Sequence, residues 1–308
     1  MKKGRIRSYP LWHEVGSVPD TFAGRYISYR EWMESVLYHP KSGFYISGRF
    51  PIGKKGDFIT AAGSRAFARG LCLYFSNIIG KNRLPQVFCE VGSGDGSLAE
   101  RFIKEWGQTS PQNCGDFRYY SVEISPRSRR LQQERISHPG FTAVSRPEEV
   151  EPFEGILFSN EFFDALPVHV VMRCGGKLYE VLISVTGSRL EEHMGPLRDE
   201  EVLVYLERFP DLEIPEGHHV EIPICMLKTY RSMARPVKRG FLITIDYGYR
   251  FSELRRAIYR EGSMRGYHDH RMVDVRRVPF ACDMTCHIHF DVRVKKGIRL
   301  GFSGWKLM

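Results

Sequence analysis

The stretch whose residue types could do chemistry is Val87-Phe-Cys-Glu-Val-Gly-Ser-Gly-Asp-Gly-Ser-Leu98. A short apolar run reaches the acid Glu90, and Gly92, Gly94 and Gly96 follow before a helical pattern begins. A strand, glycine turn and helix in that order let backbone approach a nucleotide closely, with the helix N-terminus facing the ligand. The acid precedes the glycines, and their spacing is G-x-G-x-G, so the dinucleotide pattern G-x-G-x-x-G is absent. A carboxylate before such a turn can help hold an ammonium group, and no pyrophosphate is called for.

Further polar or acidic residues fall where strands are expected to end: Glu123, Asn160 with Glu161, and Asp246. In an open parallel sheet, ligands bind beyond the carboxyl ends of the strands, where strand order reverses. Glu123 follows the glycines at close to the distance, roughly 20 residues, at which the next strand brings an acid to ribose hydroxyls. A carboxylate can accept two hydrogen bonds at once, which suits a vicinal diol.

These residues need a scaffold, and the hydrophobic pattern supplies one. Strands are expected at 86–90, 118–123, 141–144 and 155–159, with helices at 97–106 and 128–137, the second behind Pro126. Alternating strands and helices predict a mostly parallel sheet with helices on both faces. Beyond Pro167 the rhythm changes: 168–173 and 178–185, joined by Cys174-Gly-Gly-Lys177, read as a hairpin and open an antiparallel insertion running to about residue 220. A helix at 224–234 leads into the buried strand Gly240-Phe-Leu-Ile-Thr-Ile-Asp246. Upstream, Ser28 caps a helix at 29–38 whose Trp32, Met33, Val36 and Leu37 share one face, and 64–79 reads as another helix.

An acid followed by G-x-G-x-G resembles the cofactor turn of S-adenosylmethionine (SAM) methyltransferases. Asn160-Glu-Phe-Phe-Asp-Ala-Leu-Pro-Val-His169 is similar to the signature of the MidA-like SAM-dependent methyltransferase family. So are Leu37-Tyr-His-Pro-Lys-Ser-Gly-Phe-Tyr45, Gly56-Asp-Phe-Ile-Thr60, Tyr120-Ser-Val-Glu-Ile-Ser-Pro126, Ile245-Asp-Tyr-Gly248 and Met264-Arg-Gly-Tyr267. They occur in family order over nearly the whole chain.

The resemblance implies an α/β fold: a class I SAM-methyltransferase, Rossmann-like sheet with an antiparallel β insertion after strand four. It implies a helical and loop lid over the cofactor at 1–85, a SAM-binding core at 86–167, the β-rich insertion at 168–222 and the rest of the core at 223–308. SAM would be held by Asp57, Thr60, Glu90, Gly92, Gly94, Gly96, Glu123 and Ile124, with Glu123 on the ribose. Asn160, Glu161 and Asp164 would lie beside the transferable methyl. Asp246, Arg265 and Tyr267 would contact the substrate, expected to be an arginine side chain of a protein. Mitochondrial members of the family are complex I assembly factors that dimethylate an arginine of a core subunit.

Two departures stand out. Where the family has Pro-Glu and then Gln after the 56–60 motif, this chain has Ala62, Gly63 and Arg65. It stops at Met308, just past Ile298-Arg-Leu-Gly-Phe302, which resembles the sixth strand, whereas family members continue with a helix and a last strand. A shortened protein or a fragment is the expectation. A small-molecule or other side-chain methyltransferase, and a non-catalytic SAM-binding assembly factor, remain alternatives. NAD-dependent oxidoreduction is weakened by the glycine spacing.

Composition sets outer bounds. With 308 residues, 42% hydrophobic and 26% charged, the chain has the composition of a soluble globular protein. The net charge of +9 is spread along the chain, so nucleic acid is not the expected partner and a protein substrate is. No apolar run is long enough to span a membrane. MKKGRIRSYP lacks the apolar core of a secretory signal, and seven irregularly spaced cysteines read as reduced thiols. The expected compartment is the cytoplasm, or the mitochondrial matrix in a eukaryote. Cys282-Asp-Met-Thr-Cys286-His-Ile-His289 does not match a zinc spacing, so no metal is expected, and Arg265-Gly-Tyr-His-Asp-His-Arg271 lacks the nucleophile motif of a hydrolase.

Overall fold

A computed structural model describes residues 5–10, 22, 24–47, 63–109, 117–186, 189–268, 271–277 and 282–292. These group into two compact units, one holding 63–109, 117–162 and 229–246, the other holding 5–47, 163–228 and 247–292 where described.

The first unit is built in the order α1 (Arg65–Asn82), β1 (Val87–Val91), α2 (Ser97–Thr109), β2 (Arg118–Val122), α3 (Pro126–Arg135), β3 (Phe141–Val144), β4 (Phe153–Asn160) and β5 (Val237–Ile245). The five strands form one parallel sheet in the order β5-β4-β1-β2-β3. All five residues of β1 are buried, as expected of a parallel strand covered on both faces. Leu98, Phe102 and Trp106 recur every four residues on α2 and pack with Phe75 of α1 and Phe88 of β1. The Trp106 indole N–H donates to Gln86 Oε1 at 2.7 Å, so this aromatic core leaves that polar group satisfied. The chain passes from β1 to β2 on one side and later to β4 on the other. The strand order therefore reverses at β1, the position beside which open parallel sheets bind ligands.

The second unit contains an antiparallel sheet ordered Arg5–Pro10, Arg189–Pro196, Lys177–Thr186, His169–Cys174, His219–Ile222, with Ile27–Ser28 pairing Lys177–Thr186. Gly175 and Gly176 carry φ of 57° and 74°, the left-handed pair that a two-residue hairpin turn requires. The helix Tyr29–Tyr38 buries Trp32, Met33, Val36 and Leu37, and starts at a capping box. Glu31 N–H donates to Ser28 Oγ at 3.2 Å, while Ser28 N–H donates to Glu31 Oε2 at 2.8 Å.

Most expected elements lie within one to three residues of their bounds. The N-terminal segment differs. Arg5–Pro10 is a strand that joins the antiparallel sheet, so the segment 1–85 is divided between the two units. Its partner lies far along the chain and its residues are half-exposed, so no local apolar period marked it. The helix Glu200–Arg208, capped by Asp199, was not anticipated either. No described helix is long and apolar enough to cross a membrane.

Replacing Ser28 with Ala removes one side of the capping box. Chemical denaturation should show a loss of about 1 kcal/mol. An unchanged midpoint and slope would contradict the assignment.

Candidate functional site

β1 ends in Glu90 and Val91, and the turn Gly92–Gly96 carries the chain into α2 at the C-terminal edge of the sheet. Gly92, Gly94 and Gly96 all have positive φ, 75°, 55° and 78°. A Cβ on Gly92 would come within 2.4 Å of the Phe162 ring, and one on Gly96 within 2.7 Å of Gln132 Cγ. The first and third glycines are thus already required by the protein's own packing. Asp95 accepts from Ser97 N–H at 2.9 Å at the first residue of α2. Its carboxylate takes the place a phosphate would occupy at that helix end, which disfavours a pyrophosphate there.

β2 carries Glu123 to the same turn. Its Oε2 accepts from Gly94 N–H at 2.8 Å, and its Oε1 accepts from Ser125 N–H at 2.8 Å. Ile124 N–H is a further donor to this carboxylate, which has about four lone-pair sites, so acceptor capacity remains for a ligand hydroxyl. Burial pushes the Glu123 carboxyl up, and the N–H donors of Ser125 and Gly94 work against that rise. The next residue, Ile124, is 56% exposed, so the acid is flanked by an open apolar surface.

Glu90 is buried and accepts a hydrogen bond from the Tyr119 hydroxyl at 2.5 Å. Burial pushes its carboxyl up to about 8; the Tyr119 bond opposes this and the nearby Glu123 and Asp95 charges add to it. A buried carboxyl of this kind holds either a proton or a neighbouring cation.

β4 contributes the rest of the edge. The Oδ1 of Asn160 is buried and has no hydrogen-bond partner among the described residues, an acceptor set aside at the strand end. Glu161 has φ of 47°, uncommon for a residue with a side chain, and its N–H donates to Ile245 O at 2.8 Å. Phe162 N–H donates to Asp246 Oδ2 at 3.1 Å, which ties the ends of β4 and β5 together. Glu90, the three glycines, Glu123, Ile124, Asn160, Glu161 and Asp246 therefore share one edge of one sheet.

Asp164, Arg265 and Tyr267 belong to the second unit. Asp164 is buried, its carbonyl accepting from Cys286 N–H at 2.8 Å. Arg265 and Tyr267 lie on the strand Arg265–His268, which pairs with Asp283–Thr285. Asp57 and Thr60 lie outside the described residues, as does 298–302. Cys282 and Cys286 are buried in the second unit's hydrophobic core, and Tyr205 Oη lies 2.8 Å from His289 Nδ1. No group of three or more His, Cys, Asp or Glu among the described residues could hold a metal ion.

Three contributors to the edge escaped the sequence reading: Phe162 against Gly92, Gln132 against Gly96, and Tyr119 on Glu90. Phe162 and Tyr119 read as core aromatics. Gln132 sits in PRSRRLQQER, where polarity on every side hides the buried pair Ser128 and Gln132, four residues apart.

This sequence is similar to those of known proteins. It is 27% identical over 295 residues to the Drosophila melanogaster protein arginine methyltransferase NDUFAF7 homolog, mitochondrial, covering 85% of this chain and 64% of that protein. It is 24% identical over 304 residues to the Homo sapiens protein arginine methyltransferase NDUFAF7, mitochondrial, covering 86% of this chain and again 64% of the relative. This chain thus spans less than two thirds of the length of either. A Burkholderia thailandensis protein crystallised with S-adenosyl-homocysteine matches the structure with a TM-score of 0.75 at 25% identity, over 88% of this chain and 71% of that one. A family model matches residues 71–296, and the chain belongs to the family it describes, "Putative S-adenosyl-L-methionine-dependent methyltransferase".

Proposed function

We propose that this protein binds SAM at the C-terminal edge of its parallel sheet and transfers the methyl group to an arginine side chain of a protein substrate. The observation that carries the cofactor reading is Glu123, which braces the glycine turn through Gly94 N–H and retains acceptor capacity beyond its backbone donors. The residues fit the ligand. Glu123 would take the ribose hydroxyls, Ile124 the face of the base, and Glu90 with Gly92, Gly94 and Gly96 the amino-acid end. The orphaned Asn160 Oδ1 offers an acceptor to an ammonium or guanidinium donor.

SAM supplies an electrophilic methyl on a sulfonium, so the protein's part is to position the acceptor and exclude water. An arginine acceptor starts fully protonated. Glu161 is proposed to fork onto the guanidinium, fix its rotation and accept the proton it loses. Asp246 is proposed to hold the surrounding peptide. The arginine reading is supported by the names of the curated relatives, at about a quarter identity over part of their length. Those names also carry the word mitochondrial, and an aqueous compartment, matrix or cytoplasm, is the proposed location.

Two measurements check this reading. Radiolabelled methyl from SAM should enter cell-extract protein at arginine, located by proteolysis and mass spectrometry. Label on lysine, nucleic acid or a metabolite, with none on arginine, would overturn the acceptor assignment. The second concerns pH. Without ligand Glu90 keeps its proton up to about pH 8. The folded state binds that proton more tightly than the unfolded chain, so the ligand-free protein should lose stability as pH rises from the ordinary carboxylate range through that value. Binding a ligand ammonium expels the proton, so SAM affinity should rise by up to about tenfold per pH unit below that value. Glu90→Gln should flatten both slopes. A wild-type affinity independent of pH between 6 and 8 would contradict the role of Glu90.

A further inference from the structure

Gly94 is held from both sides. Its N–H donates to Glu123, and its carbonyl accepts from the Gln132 side-chain amide at 2.7 Å. Gln132 belongs to α3, the helix that follows Glu123, and it is fully buried. Its second amide proton goes to Ser93 Oγ at 2.9 Å, and its Oε1 accepts from Ser121 Oγ at 2.5 Å. Ser93 and Ser121 hydroxyls lie 2.5 Å apart. The directions are forced: an amide nitrogen only donates and an amide oxygen only accepts. Ser121 therefore spends its proton on Gln132, and Ser93 must donate to Ser121. The result is a closed ring, Gln132 to Ser93 to Ser121 and back, with one amide proton left over for the glycine turn.

The same face of α3 grips the strand ends around it. Three residues before Gln132, Arg129 donates to the carbonyls of Glu123 at 2.6 Å and Ile124 at 2.9 Å. Three residues after it, Arg135 donates to Asp95 O and Asp95 Oδ2, each at 2.9 Å. One helix thus sets the position of β2's end relative to the turn after β1.

We infer that Gln132 is a positioning residue for the cofactor: by holding the Gly94 carbonyl inward it limits rotation at the glycine whose N–H, in the preceding peptide, braces Glu123. The inference rests on the SAM reading of this edge. Loss of the amide leaves the Gly94 carbonyl and a serine hydroxyl unpaired in a buried site, and the turn must rotate to find partners. Ring closure by Ser121 is a lesser requirement, because without that hydroxyl Gln132 still reaches Gly94.

The test is S-adenosyl-homocysteine affinity by calorimetry, well below the melting temperature, on the full chain. Gln132→Met keeps the bulk and removes the amide; it should bind about tenfold or more weakly. Ser121→Ala should stay within about twofold of wild type. Gln132→Glu can donate to Gly94 only when protonated, so its affinity relative to wild type should recover toward about pH 6 and fall toward about pH 9. Wild type failing to bind would overturn the cofactor reading and this inference with it. Wild-type binding matched by Gln132→Met would overturn this inference alone, as would failure of both Gln132 variants to fold, which would assign the residue to the core.

Discussion

The hydrogen bond from Gly94 N–H to Glu123 joins the ends of two neighbouring strands, and the candidate site depends on it. It fixes the turn after β1 against the acid that closes β2, at the point where strand order reverses. The same carboxylate receives Ser125 N–H, so the start of α3 is set by it too. One side chain thereby coordinates a strand end, a turn and a helix. This double use explains how an acid is tolerated in so buried a position: backbone donors replace much of the lost hydration and oppose the upward push of burial on its carboxyl.

Electrostatics at the edge points the same way. Glu90 and Glu123 both have carboxyls pushed up by burial, and Asp95 covers the start of α2. An anionic ligand would find no positive partner among these three acids. A nucleoside whose amino-acid end carries a positive charge relieves them instead. Glu161, with its left-handed backbone, and Phe162, bonded to Asp246, then set the shape of the adjoining rim. Strained backbone held by neighbouring hydrogen bonds is a feature that collects at functional sites.

Much of this was legible in the residues. The buried strands read as apolar runs, Ser28 marked a helix start, and the polar and acidic residues expected at strand ends lie along one sheet edge. What was hidden had physical causes. Arg5–Pro10 becomes a strand only through a partner far away in sequence. The reason for glycine at 92 and 96 is Phe162 and Gln132, residues from other elements, so the spacing alone suggested ligand contact where packing already demands glycine. Gln132 sits in a helix polar on all sides, and only the fold shows which face is inward. Asp164, Arg265 and Tyr267 lie in a different unit from the glycine turn, a division that sequence order does not reveal.

The central claim is that the Glu123 carboxylate receives the ribose hydroxyls of the bound nucleoside. It is tested most directly by a cycle in which wild type and Glu123→Ala are each titrated with S-adenosyl-homocysteine and with its 2′,3′-dideoxy analogue. Wild type should discriminate between the two ligands by about tenfold or more, and Glu123→Ala should bind both alike. Equal discrimination by the two proteins would show that the diol is held elsewhere and would contradict the account.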